Sequence, residues 1–568
     1  MTPEILKADL IAGVTVSLVL IPQSMAYAQL AGLPAHYGLY AALVPVVVGA
    51  LFGSSKHLAT GPVAVVSLLT ASTFMGHALP GDDVFPILAI LLAMMVGVIQ
   101  FALGIFRLGF VVNFLSHPVI VGFTNAAAII IALSQLPKFL GLPIERSDRF
   151  LVDIGTMLLE LPRTHWPTLA FGIAALVLMA GLKRWWPQFP SVLAAVALTT
   201  AISWLIDYQG LGGSVVGAIP AGLPSVALPV TDVNTLITLL PGALIIALVG
   251  FTEAISIAKA IAIKTKDRID PNQELIGQGL ANLLGSLAQA YPSSGSFSRT
   301  AVNYSAGAKT GLASLVSAMM VVVALLFLTP LLFHLPQAVL AAIIMMAVGG
   351  LIDFPAMRHA WSANRHDGVA SAITFAATLG FAPQLDLGIF FGATLAVLLF
   401  LYRTMRPRVA LLGRFDDGTL RDLAVHPDLP NDPRMILIRF DGQLYFANVA
   451  YFEDELLAAV AAKPEAQYVL VVGDGINQID ASGEEVLRHL TLRLKENGIT
   501  LVFSGLKRQI LQVMHQTGLY DIIGGRKNHF ATVDMALADL YDRLGGEGAF
   551  CPLLPERMDD SSAPAAAI

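Results

Sequence analysis

The chain is predicted to be an α-helical polytopic membrane protein, with about fourteen spans as a 7+7 inverted repeat and a cytoplasmic α/β domain. Three observations point there. Of its 568 residues, 56% are hydrophobic and only 13% charged, where soluble domains carry roughly 25% charged residues. Apolar runs long enough to cross a bilayer recur until the chain leaves through "YRTMRPR". Basic residues also fall in alternate connections, as spans threaded back and forth require.

The runs place spans near 9–30, 38–53, 61–76, 85–106, 112–136, 165–182 and 190–206. A second series lies near 234–262, 274–289, 296–307, 310–332, 335–352, 367–382 and 385–403. With the N-terminus inside, the inner connections hold Lys56, Arg107, Lys183, Arg184, Lys264, Lys266, Arg268, Lys309, Arg358 and Arg365, and Arg403, Arg406 and Arg408 mark the exit. The outer stretches "LPGDDVF", "DYQGLGG", "HLPQA" and "APQLD" contain neither Lys nor Arg. The long outer loop over 137–164 is the exception, mixing Lys138, Arg146, Arg149 and Arg163 with acids. The opening residues lack a basic n-region and a small-residue cleavage site, which predicts no removable signal peptide.

Seven spans followed by seven more put the halves in opposite orientations, the arithmetic of an inverted repeat. A transporter domain is accordingly expected over 1–408, its repeats at about 9–206 and 234–403. Each half opens with a long span bearing mid-helix polar groups: Gln23 and Tyr27 in one, Glu253 and Ser256 in the other. Each third span is short and begins at a Gly/Pro/Ser break, "ATGPVAVVSLLTAS" or "SSGSFSRTAVNYSAG". Irregular backbone at membrane depth is tolerated where it is buried in protein or lines a cavity. Two half-helices starting there would aim unpaired N–H groups and positive dipole ends at one centre. Arg299 adds full charge, and the hydroxyls of Ser296, Ser298 and Thr300 are candidate donors. The chemistry implied is reversible binding of a small anion, with no metal or cofactor needed.

Glu253 lies deep in its span with no basic residue before Lys259. An intramembrane carboxylate must be paired, hydrated or protonated, so it is the candidate proton-coupling residue. Gln23 and Tyr27, four apart, share a helix face. The single cysteine, Cys551, excludes internal disulfides and cysteine-rich metal sites. Net charge is −6 and no basic stripe suggests nucleic acid. Nucleophile-elbow, Walker and metal-ligand spacings are absent, and "GDGINQ" lacks the lysine of a P-loop, so no enzyme is expected.

Past the exit, "RMILIRFDGQLYFAN", "YFEDELLAAVAA", "YVLVVGDGINQID", "SGEEVLRHLTLRLKENG", "ITLVFSG" and "LKRQILQVMHQTG" alternate strand and helix patterns. They predict a small α/β domain over 435–545. The polar, Ala-rich residues 546–568 are expected to be disordered.

Four stretches, "IPQSMAYAQLAGLPAHYGLYAALVP", "FGSSKHLATGPVAVVSLL", "SHPVIVGFTNAAAIII" and "SGSFSRTAVNYSAGAKT", closely resemble the sulfate permease family, also called the SLC26 anion transporters. The resemblance implies a fold shared with nucleobase permeases, with a moving core and a gate domain. It implies an anion site between the third and tenth spans, lined from the first: Gln23 and Tyr27 from "PQSMAY", Val63 from "GPVAVVS", Phe297 and Ser298 through backbone amides and a hydroxyl, and Arg299 through its charge. It puts Glu253 where proton-coupled members carry an acid. It further implies sulfate as the favoured substrate, carried with protons by an elevator-type symporter in the cell inner membrane. Bicarbonate, dicarboxylates, a passive channel and a nucleobase permease are the alternatives. The last domain resembles STAS domains, which implies a cytoplasmic position, and family members imply a homodimer. Anti-sigma factor antagonists of that domain type are phosphorylated after the Asp of a "D-S-S-G"-like loop. This chain reads "IDASG", with Ala481 at that position and Ser482 next to it.

Overall fold

The computed structural model describes residues 2–74, 84–110, 116–144, 150–186, 189–220, 222–229, 232–545 and 553. The chain divides into two compact units, Met1–Val397 and Leu398–Ile568.

The first unit is helical, and its two halves repeat the same series. One half runs α1 (Pro3–Leu30), α2 (His36–Ala41), α3 (Val44–Phe52), β1 (Thr60–Gly61), α4 (Ala64–Thr73), α5 (Val84–Ile105), α6 (His117–Leu140), α7 (Phe150–Glu160), α8 (Trp166–Trp185) and α9 (Ser191–Leu205). The other runs α10 (Val233–Thr265), α11 (Pro271–Leu287), β2 (Ser294–Gly295), α12 (Phe297–Ser305), α13 (Leu312–Val323), α14 (Gln337–Gly349), α15 (Phe354–Ala363), α16 (Arg365–Phe381) and α17 (Leu385–Met405). Each half therefore has a long helix, a second helical segment, a two-residue strand and a short half-helix in the same order. Among the described residues, eight helices are long and apolar enough to cross a membrane. Large apolar side chains such as Val177, Ile237 and Phe390 stand exposed on them, which suits contact with lipid rather than water.

Several expected boundaries shift for local reasons. The second span is broken at Ala42–Leu43, where Pro45 sets the first turn of α3. The expected outer loop over 137–164 contains α7, because Phe150, Ile154 and Met157 recur at helical spacing and line a cavity against α4 and α6. After α14 comes α15, capped by Asp353 and without a buried residue. The Asn125 side chain holds the backbone of Asp353, accepting from its N–H (2.7 Å) and donating to its C=O (3.2 Å). Helices α5 and α11 approach closely through Gly97 and Gly279: a Cβ on Gly279 would lie 2.4 Å from the Phe101 amide.

The second unit holds a six-stranded sheet in the order β4-β3-β5-β6-β7-β8. The strands are β3 (Val409–Arg414), β4 (Leu420–Asp422), β5 (Met435–Phe440), β6 (Tyr468–Val472), β7 (Thr500–Ser504) and β8 (His529–Phe530). β5 to β8 run parallel, and β3 is antiparallel to both its neighbours. Helices α18 (Val449–Ala462), α19 (Ala481–Glu496), α20 (Arg508–Thr517), α21 (Leu519–Ile523) and α22 (Val533–Arg543) cover it. Alternation along the strands sends Ile436, Ile438, Val469, Val471, Leu501 and Phe503 to the face under α18 and α19. Met435, Leu437, Leu470 and Val502 go to the other face, under α22. The sheet thus begins at Val409, ahead of the expected 435, because β3 contributes Ala410 and Leu412 to this second face. The expected tail, 546–568, lies outside the described residues except for Leu553. That residue is buried against the same face, its C=O accepting from Arg414 Nε at 2.8 Å.

Candidate binding site

The site forms where the two short strands cross. Thr60 pairs with Gly295 and Gly61 with Ser294 in antiparallel register, so the half-helices that follow, α4 and α12, start beside one another. α12 begins at its cap, Ser296, whose N–H donates to Ala59 C=O at 2.9 Å and whose hydroxyl accepts from the Arg299 N–H at 3.4 Å. The first ladder bond runs from Thr300 N–H to Ser296 C=O. Of the four first-turn donors, this leaves the amides of Phe297 and Ser298 outside the helix's own bonding. On the facing side, Val63 is the N-cap of α4, in extended backbone with no side-chain cap, and Ser67 N–H makes the first ladder bond to its C=O. The amides from Val63 to Val66 are the corresponding first-turn donors. Two positive helix ends converge there, as an anion requires.

Arg299 supplies the charge. Its side chain has 0% exposure, and Nε and both Nη atoms have no hydrogen-bond partner. Gly61 stands beside it at φ +142°, and a Cβ there would lie 3.3 Å from Arg299 Nη2. A side chain here would be strained by the backbone conformation and would press on the guanidinium. The field of Arg299 reaches Tyr27, Tyr291 and Glu253. Gln23 and Tyr27 are buried on α1, and Gln23 Oε1 is without a partner, as is Glu253 Oε2 on α10. No ion pair within 4.0 Å joins Glu253 to Arg299 among the described residues. Unpaired donors and acceptors thus share one buried neighbourhood, an arrangement tolerated where a ligand or water completes it.

The structure brings Tyr27, Val63, Glu253 and Arg299 to this neighbourhood, and Gln23 is buried one turn before Tyr27 on α1. Phe297, 60% exposed, and Ser298 are accessible on the first turn of α12, where their amides are unbonded, and Ser298 Oγ lies 3.4 Å from Ser296 Oγ. The Thr300 hydroxyl is fully buried and accepts from the Ala59 N–H at 3.0 Å, which ties α12 to the stretch ahead of β1 and leaves its own proton to donate. Ser293 and Ser294 also serve the scaffold: Ser294 Oγ donates to Gly250 C=O at 2.6 Å, and the Ser293 amide donates to Asn282 Oδ1 at 2.7 Å. Tyr291 was not among the sequence candidates. Its hydroxyl meets Ser67 Oγ at 3.0 Å, tying the approach to β2 onto α4. Its only signal was an aromatic residue at the edge of the polar break.

In the second unit, Asp480 caps α19 by accepting from Gly483 N–H at 2.8 Å, and its other oxygen accepts from Phe446 N–H at 2.9 Å. Ala481 is thus the first residue of a helix, without a hydroxyl.

Paired half-helices around a buried, unpartnered cation, built into a repeat of membrane helices and followed by an α/β domain, define a class: a multi-pass anion transporter with a STAS domain. Residues 6–374 match the sulfate permease family and residues 426–536 the STAS domain. The chain belongs to the sulfate permease family. It is 37% identical over 537 residues to the probable sulfate transporter 4.2 of Arabidopsis thaliana, covering 91% of this chain and 79% of that protein. A probable sulfate transporter of Mycobacterium tuberculosis is 32% identical over 526 residues, with 91% and 92% covered. Among solved structures, that of SLC26A9 superimposes with a TM-score of 0.86 at 23% identity, over 96% of this chain and 92% of the other, a likeness of fold. The transmembrane domain of the cyanobacterial bicarbonate transporter BicA gives a TM-score of 0.58 at 25% identity, over 70% and 98%.

Proposed function

We propose that this protein is a secondary active transporter of small oxyanions, with sulfate the preferred substrate, working by proton symport. The observation that carries the reading is Arg299, a fully buried guanidinium with three unpartnered nitrogen atoms where two half-helices begin. A planar fork of donors matches a tetrahedral oxyanion, and the converging amides complete the shell. Relatives named as sulfate transporters support sulfate as that oxyanion. Bicarbonate is the second reading, favoured by the likeness to a bicarbonate transporter.

The elements around the site are cross-tied by Ser294 to Gly250, Ser67 to Tyr291 and Ser296 to Ala59. A bound anion would therefore travel with them as one body, which suits an elevator. Glu253 takes up a proton on the side where the anion enters and offsets part of a dianion's charge. The chain works as a homodimer in the cell inner membrane, with its N-terminus and STAS domain on the cytoplasmic side.

The test is uptake by proteoliposomes offered labelled sulfate, bicarbonate and a dicarboxylate at several pH values. Sulfate uptake with a KM that rises at least about tenfold in Arg299→Ala is expected, from loss of a charged hydrogen-bond partner. Unchanged affinity for every transported anion in that variant would remove Arg299 from the site.

A further inference from the structure

Behind the crossing of β1 and β2, helix α11 presents three buried polar side chains, one per turn: Glu274, Gln278 and Asn282. At i, i+4 and i+8 they share one face, and each holds a different stretch of the two broken spans. Glu274 Oε2 accepts from the Ser54 amide (2.9 Å), the Ser54 hydroxyl (2.9 Å) and the Ser55 amide (3.2 Å), ahead of β1. Gln278 Nε2 donates to Thr60 Oγ1 at 3.0 Å, within β1. Asn282 grips Ser293, just before β2, by both backbone groups: Oδ1 accepts from its N–H at 2.7 Å and Nδ2 donates to its C=O at 3.0 Å. This is the pairing a neighbouring strand would make.

The direction of the Asn282 amide is set from behind. Gln100 on α5 donates through Nε2 to Ala247 C=O on α10 at 3.0 Å, so its Oε1 is turned to accept from Asn282 Nδ2, also at 3.0 Å. Gln100 and Asn282 are both buried. One chain of amides therefore runs from α10 through α5 and α11 to both half-helix breaks.

We propose that Asn282 and Gln278 are positioning residues of the anion site, setting its affinity and its discrimination among anions without touching the anion. The inference rests on the reading of the crossing as an oxyanion site. The reason is geometric. Each strand of the crossing is two residues long, too short to hold a register by itself. Converging donors, however, must be held to within about half an ångström to be worth their full strength. A side-chain ladder that grips β1 and the approach to β2 from one rigid helix provides that register. Gln278 Oε1 has no partner, so its amide is held by its donor side alone.

The test uses the purified full-length chain in proteoliposomes, with the parent and Arg299→Ala as references. Asn282→Asp keeps the volume but turns the donated bonds, to Ser293 C=O, Gln100 Oε1 and the Gln278 C=O one turn back, into oxygen–oxygen contacts. Thr60→Val keeps the branched shape and removes only the hydroxyl that Gln278 engages. For Asn282→Asp the sulfate KM is expected to rise about tenfold, with saturated turnover within about twofold of the parent and a smaller preference for sulfate over bicarbonate. Thr60→Val should move KM and preference in the same direction by less. A purely structural role would reduce the yield of folded transporter or the turnover while leaving KM and preference at parent values, and that result overturns the proposal. If Asn282→Asp does not fold, the Thr60→Val result decides by the same criterion. Failure of the underlying reading looks different: the parent would then take up none of the anions, or Arg299→Ala would match it.

Discussion

Arg299 and His529 illustrate how one buried nitrogen group can serve binding in one setting and stability in another. Arg299 keeps its charge without a protein partner, a state that favours capture of an anion over any packing role. His529, in the α/β domain, lies stacked between Tyr520 (4.3 Å) and Phe503 (5.9 Å), its Nδ1 at 2.7 Å from Gly525 C=O and its buried Nε2 unpartnered. Burial pushes its pKa below the usual histidine value; the Gly525 contact opposes this and nearby His515 adds to it. A histidine held neutral in the folded state contributes stability that is present above the unfolded value, about 6.5. That contribution is lost as pH falls below it toward the folded value. The urea midpoint of the α/β domain should therefore drop between about pH 7 and pH 5.5, and His529→Phe, which keeps a stackable ring, should flatten that slope. An equal slope in both proteins would assign the acid sensitivity to other groups.

Among the elements, the half-helices and the edge of the sheet differ in how plainly they can be read beforehand. The Gly/Pro/Ser breaks before α4 and α12 announce themselves because no continuous span tolerates them. Strand β3 does not: "VALLGRF" follows directly on a basic membrane exit, and six residues of mixed pattern have no period of their own to separate them from a linker. Its role emerges from pairing, Val409 with Phe440 and Leu411 with Ile438. Without it β5 becomes an exposed edge and the α22 face loses Ala410 and Leu412. A fragment over 406–545 should unfold in one cooperative step by circular dichroism. A fragment starting at 435 should be destabilised by more than about 2 kcal/mol or should associate through its edge. Equal stability of the two would make β3 and β4 dispensable.

For the whole molecule, the proton coupling we propose turns on Glu253 and Arg299 sharing one buried neighbourhood, with no ion pair between them among the described residues. Glu253→Gln keeps size and hydrogen bonding but fixes the neutral state. It should still exchange sulfate across proteoliposomes while losing accumulation driven by an inward proton gradient. Accumulation with the parent's pH dependence would show that another group carries the proton. The apolar runs, the alternating basic loops and the paired breaks were legible in the sequence because each is a local response to solvent: lipid demands long apolar helices, and a break at depth demands a cavity. Arg299 and Glu253 could be named from these breaks and the mid-helix polar groups, whereas Gln23, Tyr27 and Val63 are named as lining residues only through the resemblance to the sulfate permease family. The amide ladder on α11 could not, although Glu274, Gln278 and Asn282 stand at a readable spacing, because polar residues on one helix face say nothing of what lies opposite. Sequence alone determined a repeated membrane fold with a charge at its broken spans. That the Thr300 hydroxyl holds the Ala59 amide and the Ser294 hydroxyl the Gly250 carbonyl was decided only when strands far apart in the chain paired, since a side chain's task depends on its neighbour across the fold.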